Sequence, residues 1–286
     1  MKKIIAMVLA LVLVAGLSIA GTLAYLQDDD YNVNTMTMYD VHIDQMEYEC
    51  VRDESGNVTS MNEYTNAKPL YPAVAKNGFN DISAWQPAGN DGIIYYANYL
   101  GDDYCGGNGL WENLNNVQDK FVFVKNTGTT DAYYRTIILL EADATNTYNS
   151  DGKAMIHLNV NGHDNFDWGT NSKGKKDTDI TAETMRVTVN GEEYYVKVAL
   201  YKEVLEPEEI SRPSLLQVGM DQLATNEIVA QFGETYDIVV LSQAVQAAGF
   251  DDAKTALNTA FGEVTEENVL TWFADIAPAG SNGNLQ

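Results

Sequence analysis

The sequence predicts a mainly β protein: an antiparallel β-sandwich with small helices appended, mostly in the C-terminal third. Three observations predict it. Short period-two or continuous apolar runs, each closed by turn residues, recur from Thr35 to Leu241. Two β-rich runs meet at Asn190-Gly191, the strongest short-range hairpin signal a sequence offers. Helical periodicity is confined to the last third, at Thr225–Phe232, Asp251–Phe261 and after Thr265. With 286 residues, 45% of them apolar, the chain can bury a sizeable core.

In chain order, Lys2 and Lys3 precede Ile4–Ala20, a run whose one polar residue is Ser18, and Gly21-Thr22-Leu23-Ala24 then places small residues before Tyr25. This is the pattern of an export signal, residues 1–24, cut after Ala24 with Thr22 and Ala24 at the exit and Tyr25 as the new N-terminus. The rival is a retained anchor, since Ile4–Gln27 carries no charge and is long enough to span a bilayer. The small-residue exit, with no basic stop-transfer cluster, favours cleavage. From Tyr25 the chain is polar, with Asp28-Asp29-Asp30, and Thr35-Met36-Thr37-Met38 alternates as a short strand. Val41-His42-Ile43-Asp44 alternates in the opposite phase, so a bulge or bend is expected at Tyr39-Asp40.

Residues 54–118 are rich in Gly, Asn, Asp and Tyr and predict long loops with short strands. Phe121–Val124 reads as a buried strand closed by Asn126-Thr127-Gly128, followed by strands over Tyr133–Leu140 and Ile156–Val160 and a hairpin of Thr184–Val189 with Tyr194–Leu205. Thr225–Phe232 is a short helix ending at Gly233, and Tyr236–Leu241 a strand. Asp251–Phe261 places Ala253, Ala256, Leu257, Ala260 and Phe261 on one helical face and stops at Gly262. Thr265 caps a last helix with Glu266 and Glu267 in its first turn. The organisation expected is therefore a signal (1–24), an extended N-terminal segment (25–39) and one sandwich domain (40–286). That domain carries the loop-rich insert (54–118) and a helical part (251–276).

Charge narrows the functions. There are 41 Asp+Glu against 17 Lys+Arg, a net of −24, which phosphate backbones and anionic lipid repel; no nucleic-acid partner is expected. Catalytic and cofactor motifs are sparse. No GxSxG, P-loop or helix-opening GxGxxG occurs, and no cofactor is expected. Zinc hydrolysis needs His one helical turn apart with a Glu base; His42, His157 and His163 lie in no such pattern, and two of them sit in strand-like alternation. Asp28-Asp29-Asp30 and Asp164-Asn165-Phe166-Asp167 are oxygen-rich but do not follow the calcium-loop spacing, and a solvated acidic surface is the simpler reading. Cys50 and Cys105 have two readings. One is a disulfide closing a 55-residue loop for roughly 4 kcal/mol, with two unpaired thiols as its equal rival; the other is a nucleophile at Cys105, which the lack of a nearby His base disfavours. Trp85, Trp111 and the tyrosines between them either pin the long insert to its own sandwich or stack on sugars; pinning is preferred.

Gly21–Asp28, Asn34–Met38 and Val41–Ile43 together resemble the early segment of proteins exported through the SipW-type signal peptidase, the TasA and camelysin group of Gram-positive biofilm matrix proteins. Val124-Lys125-Asn126-Thr127-Gly128 with Ala132–Leu140 is similar to the group's strand–turn–strand unit, and Tyr236–Ala247 to its late core strand. The resemblance covers about a third of the chain. It implies a jelly-roll-like sandwich, secretion to the matrix or cell surface, and head-to-tail homopolymers in which the N-terminal segment of one subunit completes the sheet of the next. Here that assembly strand would be Thr35, Met36, Thr37 and Met38. Other matrix proteins or polysaccharide are further partners it suggests. The insert 54–118 and the helices at 251–276 depart from the best-known member. The expected function is thus a non-enzymatic structural subunit of an extracellular fibre. The alternatives are a camelysin-like surface metalloprotease and a secreted glycan-binding module.

Overall fold

The computed structural model describes residues 28–29, 40–54, 58–64, 68, 70–75, 110–111, 114–232 and 236–274. Its strands in chain order are β1 (Asp28–Asp29), β2 (Ile43–Arg52), β3 (Val58–Glu63), β4 (Val74–Ala75), β5 (Leu114–Asn115), β6 (Gln118–Asp119) and β7 (Phe121–Asn126). Then follow β8 (Ala132–Glu141), β9 (Ile156–Val160), β10 (Phe166–Asp167), β11 (Arg186–Val189), β12 (Glu192–Tyr201), β13 (Leu215–Met220) and β14 (Ile238–Gln246). The helices are α1 (Asn226–Val229), continued by a 3-10 turn at Ala230–Phe232, then α2 (Ala253–Phe261) and α3 (Glu266–Trp272). The protein is mainly β, with antiparallel sheets and a few small helices, as expected.

One sheet has the order β1-β14-β8-β12-β10, with β11 also on β12. The other is assembled from β3-β2-β7 and β6-β13-β9. Backbone bonds from Lys120 N–H to Leu216 C=O, Ser214 N–H to Val122 C=O and Ser211 N–H to Val124 C=O join β7 to the β13 side, making them continuous. Between the two sheets lie Val122 and Val124 of β7, Tyr134, Ile138 and Leu140 of β8, Tyr195, Ala199 and Tyr201 of β12, and Val218 and Met220 of β13.

β8 is buried along its whole length. Its even-numbered residues face the second sheet; Ile137 and Leu139 face outward under Val269 and Phe273 of the α3 turn, and Tyr133 under Ala256 and Leu257 of α2. A strand covered on both faces reads as a continuous apolar run, which is why Ile137–Leu140 shows no alternation.

Local chemistry fixes the joints. Asn190 (φ 52°) and Gly191 (φ 98°) are both left-handed, as the two-residue hairpin between β11 and β12 requires. Asp252 and Thr265 accept from the N–H groups of Thr255 and Asn268 at the helix starts, and α2 stops at Gly262 (φ 87°). Asn126, fully buried, donates to the carbonyls of Thr130 (2.8 Å) and Leu205 (2.9 Å) and accepts from Gly128 N–H (3.0 Å). This side chain holds the β7–β8 turn from inside.

Two strands run beyond what local alternation marks, although the late one stays within the Tyr236–Ala247 stretch that the family resemblance implied. β2 runs on to Arg52, because Met46, Tyr48 and Cys50 pack outward with Phe121, Phe123 and Leu216 while Ile43 packs inward. β14 runs on to Gln246. β13 has no clean signal in the sequence; it is buried along its whole length, with Leu215 on one face and Leu216 on the other, which erases the alternation, and a β-bulge shifts its register between Leu215 and Gln217.

Candidate functional site

The expected assembly strand, Thr35–Met38, lies outside the described residues, as do the signal-exit residues Thr22, Ala24 and Tyr25. The N-terminal segment nevertheless makes one described contact. β1 lies antiparallel on β14, with Asp28 opposite Ala244 and Asp29 opposite Gln243. The sequence signals no strand here, because Asp28-Asp29 has no strand propensity of its own. No alternation marks it.

β14 is the last full strand of its sheet, and its hydrogen-bonding parity follows from its register. Ala247 N–H donates to Asp131 C=O (2.8 Å) and Glu141 N–H to Asp237 C=O (3.1 Å), so 237↔141 and 247↔131 are hydrogen-bonded pairs. With the ladder Ile238↔Leu140 to Gln246↔Ala132 between them, the odd-numbered residues of β14 exchange bonds with β8. The even-numbered residues, Ile238, Val240, Ser242, Ala244 and Gln246, direct their N–H and C=O outward. Ala244 is the residue that meets Asp28.

The edge has a polar lining at its centre. Gln45, inward-facing on β2, accepts from Ser242 Oγ (2.9 Å) through Oε1 and donates through Nε2 to Val240 C=O (3.4 Å). Ser242 Oγ also lies 3.1 Å from Thr136 Oγ1, and Thr136 and Ser242 are both fully buried. At the start of the edge, Glu141 Oε2 accepts from Asp237 N–H (3.0 Å). Burial pushes the Glu141 carboxyl up to about 7, against that hydrogen bond and with help from Asp237 and Glu192. The sign of the resulting pH dependence is fixed. Below about 4.5 both folded and unfolded chains hold this proton. Between there and about 7 the unfolded chain releases it and the folded one does not, so rising pH removes stability; above about 7 the loss is complete. Glu141→Gln keeps an acceptor for Asp237 N–H and is expected to raise stability at pH 8 by about 1–3 kcal/mol, with no gain at pH 4, read by denaturant titration at both pH values.

The three histidines lie apart. His42 pairs with Asp40 on the surface (2.8 Å). His157, buried, meets Asp221 (2.7 Å), which also accepts from Asn149 and from Leu223 N–H. Burial raises the Asp221 carboxyl, but these bonds outweigh it and hold it down to about 2. His163 lies 2.7 Å from an Arg212 nitrogen, and burial together with that guanidinium lowers its imidazole. Among the described residues no three His, Cys, Asp or Glu side chains are grouped to hold a metal ion. Buried Lys197 is held by Asp177 (3.0 Å) and Asp179 C=O (3.1 Å), two loop groups that tie residues 177–179 over the sandwich.

Cys50 is half-buried on β2 opposite Met61; Cys105 lies outside the described residues. Trp111 is 4% exposed, packs with Ala73 and Leu114, and donates its backbone N–H to Gln217 (2.6 Å). It pins the end of the insert, as the preferred reading had it, and offers no face to a sugar. Trp85 lies outside the described residues.

A cleft of about 340 Å³ opens between β12 and α2, lined by Trp168, Val198, Leu200, Leu257 and Arg135. Arg135 is committed to the protein itself: it donates to Gln243 (2.8 Å), Asn258 (3.1 Å) and Gly262 C=O (3.1 Å). No family model, no curated protein and no solved structure matches the chain.

Proposed function

We propose that this protein is a secreted structural subunit that polymerises by strand addition, the N-terminal segment of one copy pairing with the outer edge of β14 in the next. The observation that carries the reading is the seat of Asp28–Asp29 on that edge. The same contact made within one chain closes the sheet of a monomer; made between chains it links them. Residues 25–39 extended at about 3.4 Å each reach some 50 Å, ample for either. Each copy then presents a donor at its N-terminus and an acceptor at β14. Such a contact is heterologous and does not close on itself, so it builds filaments. It also covers an edge that would otherwise template uncontrolled pairing. The likeness of the early segment to exported matrix proteins supports the same reading, as does the export pattern of residues 1–24.

Two outcomes are expected. A chain beginning at Tyr25 sediments as polymer, whereas one beginning at Asp40 stays monomeric with an unchanged thermal transition; equal polymerisation of both removes the proposal. Polymer growth by the longer chain is expected to accelerate several-fold between about 10 mM and 150 mM salt, because copies of net charge −26, Lys2 and Lys3 being absent from a chain that begins at Tyr25, repel at the longer screening length. Light scattering against salt concentration measures it.

A further inference from the structure

We propose that Lys197 and Asp177 condense into an amide, a covalent staple between β12 and the loop that crosses it. Lys197 follows Tyr195 and precedes Ala199 on the inner face of β12, opposite Ile138 of β8, and its side chain is 2% exposed. Its Nζ has two partners, Asp177 Oδ2 at 3.0 Å and the Asp179 carbonyl at 3.1 Å. The loop that carries them is fixed on both sides. Asp177 N–H donates to Gly169 C=O (3.1 Å) and Thr170 bridges Lys176 before it, while Ala154 N–H donates to Ile180 C=O (2.8 Å) after it. Lys120, also buried, is held differently: the face of Tyr64 lies 4.1 Å from its nitrogen, which favours the cation. At Lys197 the amine meets a carboxyl and a carbonyl instead.

The step balances with the groups already in place. Burial lowers the Lys197 ammonium, against the opposing pull of Asp177 and Asp179, which brings the nucleophilic amine within reach. One proton passes from Nζ to Asp177 Oδ2 along their contact, turning two desolvated charges into a neutral amine and a carboxylic acid. A second N–H stays on Asp179 C=O and leaves the lone pair to face the carboxyl. The bond from Nζ to Cγ then forms and the bond from Cγ to Oδ2 breaks. Oδ2 departs as water with two of the three ammonium protons, and the third remains on the amide nitrogen. Nothing is oxidised or reduced. The Asp177 side chain is 33% exposed, which gives the water its exit. Reactants held in this way act at an effective concentration of about 10⁵–10⁸ M, which favours condensation over hydrolysis. The amide closes a ring over residues 177–197, around the β11–β12 hairpin. It forms whether or not copies of the chain polymerise, and in a filament it keeps this loop on the sandwich under tension.

The test is mass spectrometry of the denatured protein, whole and after trypsin. The whole chain is expected to weigh one water less than its sequence in most molecules. Tryptic peptides 177–186 and 187–202 are expected to be recovered as one species, one water lighter than their sum, with no cut after Lys197. Lys197→Arg keeps a cation for Asp177 but has no amine that condenses. It is expected to show its full sequence mass and a lower thermal transition, although the ion pair survives. Full sequence mass in the unmodified chain overturns the proposal and leaves a buried ion pair. Water loss confined to a single peptide, as ring closure at an aspartate would give, overturns it too, and so does a Lys197→Arg chain that is still one water light. The readings on the unmodified chain do not need the variant to fold. None of them bears on strand addition, whose failure shows in sedimentation instead.

Discussion

Arg135→Leu is expected to lower the unfolding free energy by about 3–5 kcal/mol and to free the C-terminal helices before the sandwich melts. Arg135 is 2% exposed and points outward from β8, beneath those helices. Its fork reaches three acceptors at once: Gln243 on β14, Asn258 on α2, and the Gly262 carbonyl at the end of that helix. The Trp272 ring of α3 lies 4.8 Å from the guanidinium and the Phe261 ring 5.9 Å, adding cation–π attraction. Leucine fills much of the volume but leaves three acceptors without their donor. Arg135→Lys keeps the charge and loses the fork, and is expected to recover no more than half of the loss. Denaturant titration gives the free energies, and limited proteolysis locates the first cuts, expected between residues 247 and 274. A cost under 1 kcal/mol, or first cuts elsewhere, contradicts this account of the helical layer.

Gly128→Ala is expected to cost about 3 kcal/mol and to weaken polymerisation as well. A Cβ on Gly128 would stand 2.1 Å from the Asp40 carbonyl oxygen and 2.7 Å from the His42 nitrogen, both backbone atoms that no rotamer change can move aside. Three backbone bonds converge on this crossing, from Thr127 and Gly128 to His42 C=O (2.8 and 3.0 Å) and from Thr129 to Asp40 C=O (2.9 Å). Asp40 is also where the described body meets the N-terminal segment, so displacing it moves the origin of the donor. Thermal unfolding and sedimentation of the same variant read the two effects. Loss of polymer with full stability, or the converse, would separate the turn from the donor.

The sequence was most legible where local and tertiary demands agree. The Asn190-Gly191 hairpin, the strand Ile156–Val160, and the helices capped by Asp252 and Thr265 stand where turn and cap chemistry placed them. Legibility fell where burial on two faces erased alternation. The outward packing of Met46, Tyr48 and Cys50 extended β2, and the bulged Leu215-Leu216 strand has no clean period. The outer edge of β14 was invisible for another reason. Outward backbone groups on β14 depend on which residues pair with β8, a long-range register that no local pattern carries. Asp28-Asp29 is likewise a pairing made by backbone, not by side-chain preference. Arg135 and Gln45, the two residues with the most to do across layers, look in the sequence like any polar residue in a strand.

Complementation between two halves of the contact tests the central claim most directly. A chain beginning at Asp40 keeps the acceptor edge and lacks the donor. A chain beginning at Tyr25 with Ala244→Pro keeps the donor and lacks the outward N–H that Asp28 meets, while its bonds to β8 come from neighbouring residues. Each alone is predicted to be monomeric in analytical ultracentrifugation, and an equimolar mixture to form one-to-one heterodimers that grow no further. Filaments from either chain alone, or a mixture that stays monomeric under conditions where the unmodified chain polymerises, would contradict the account.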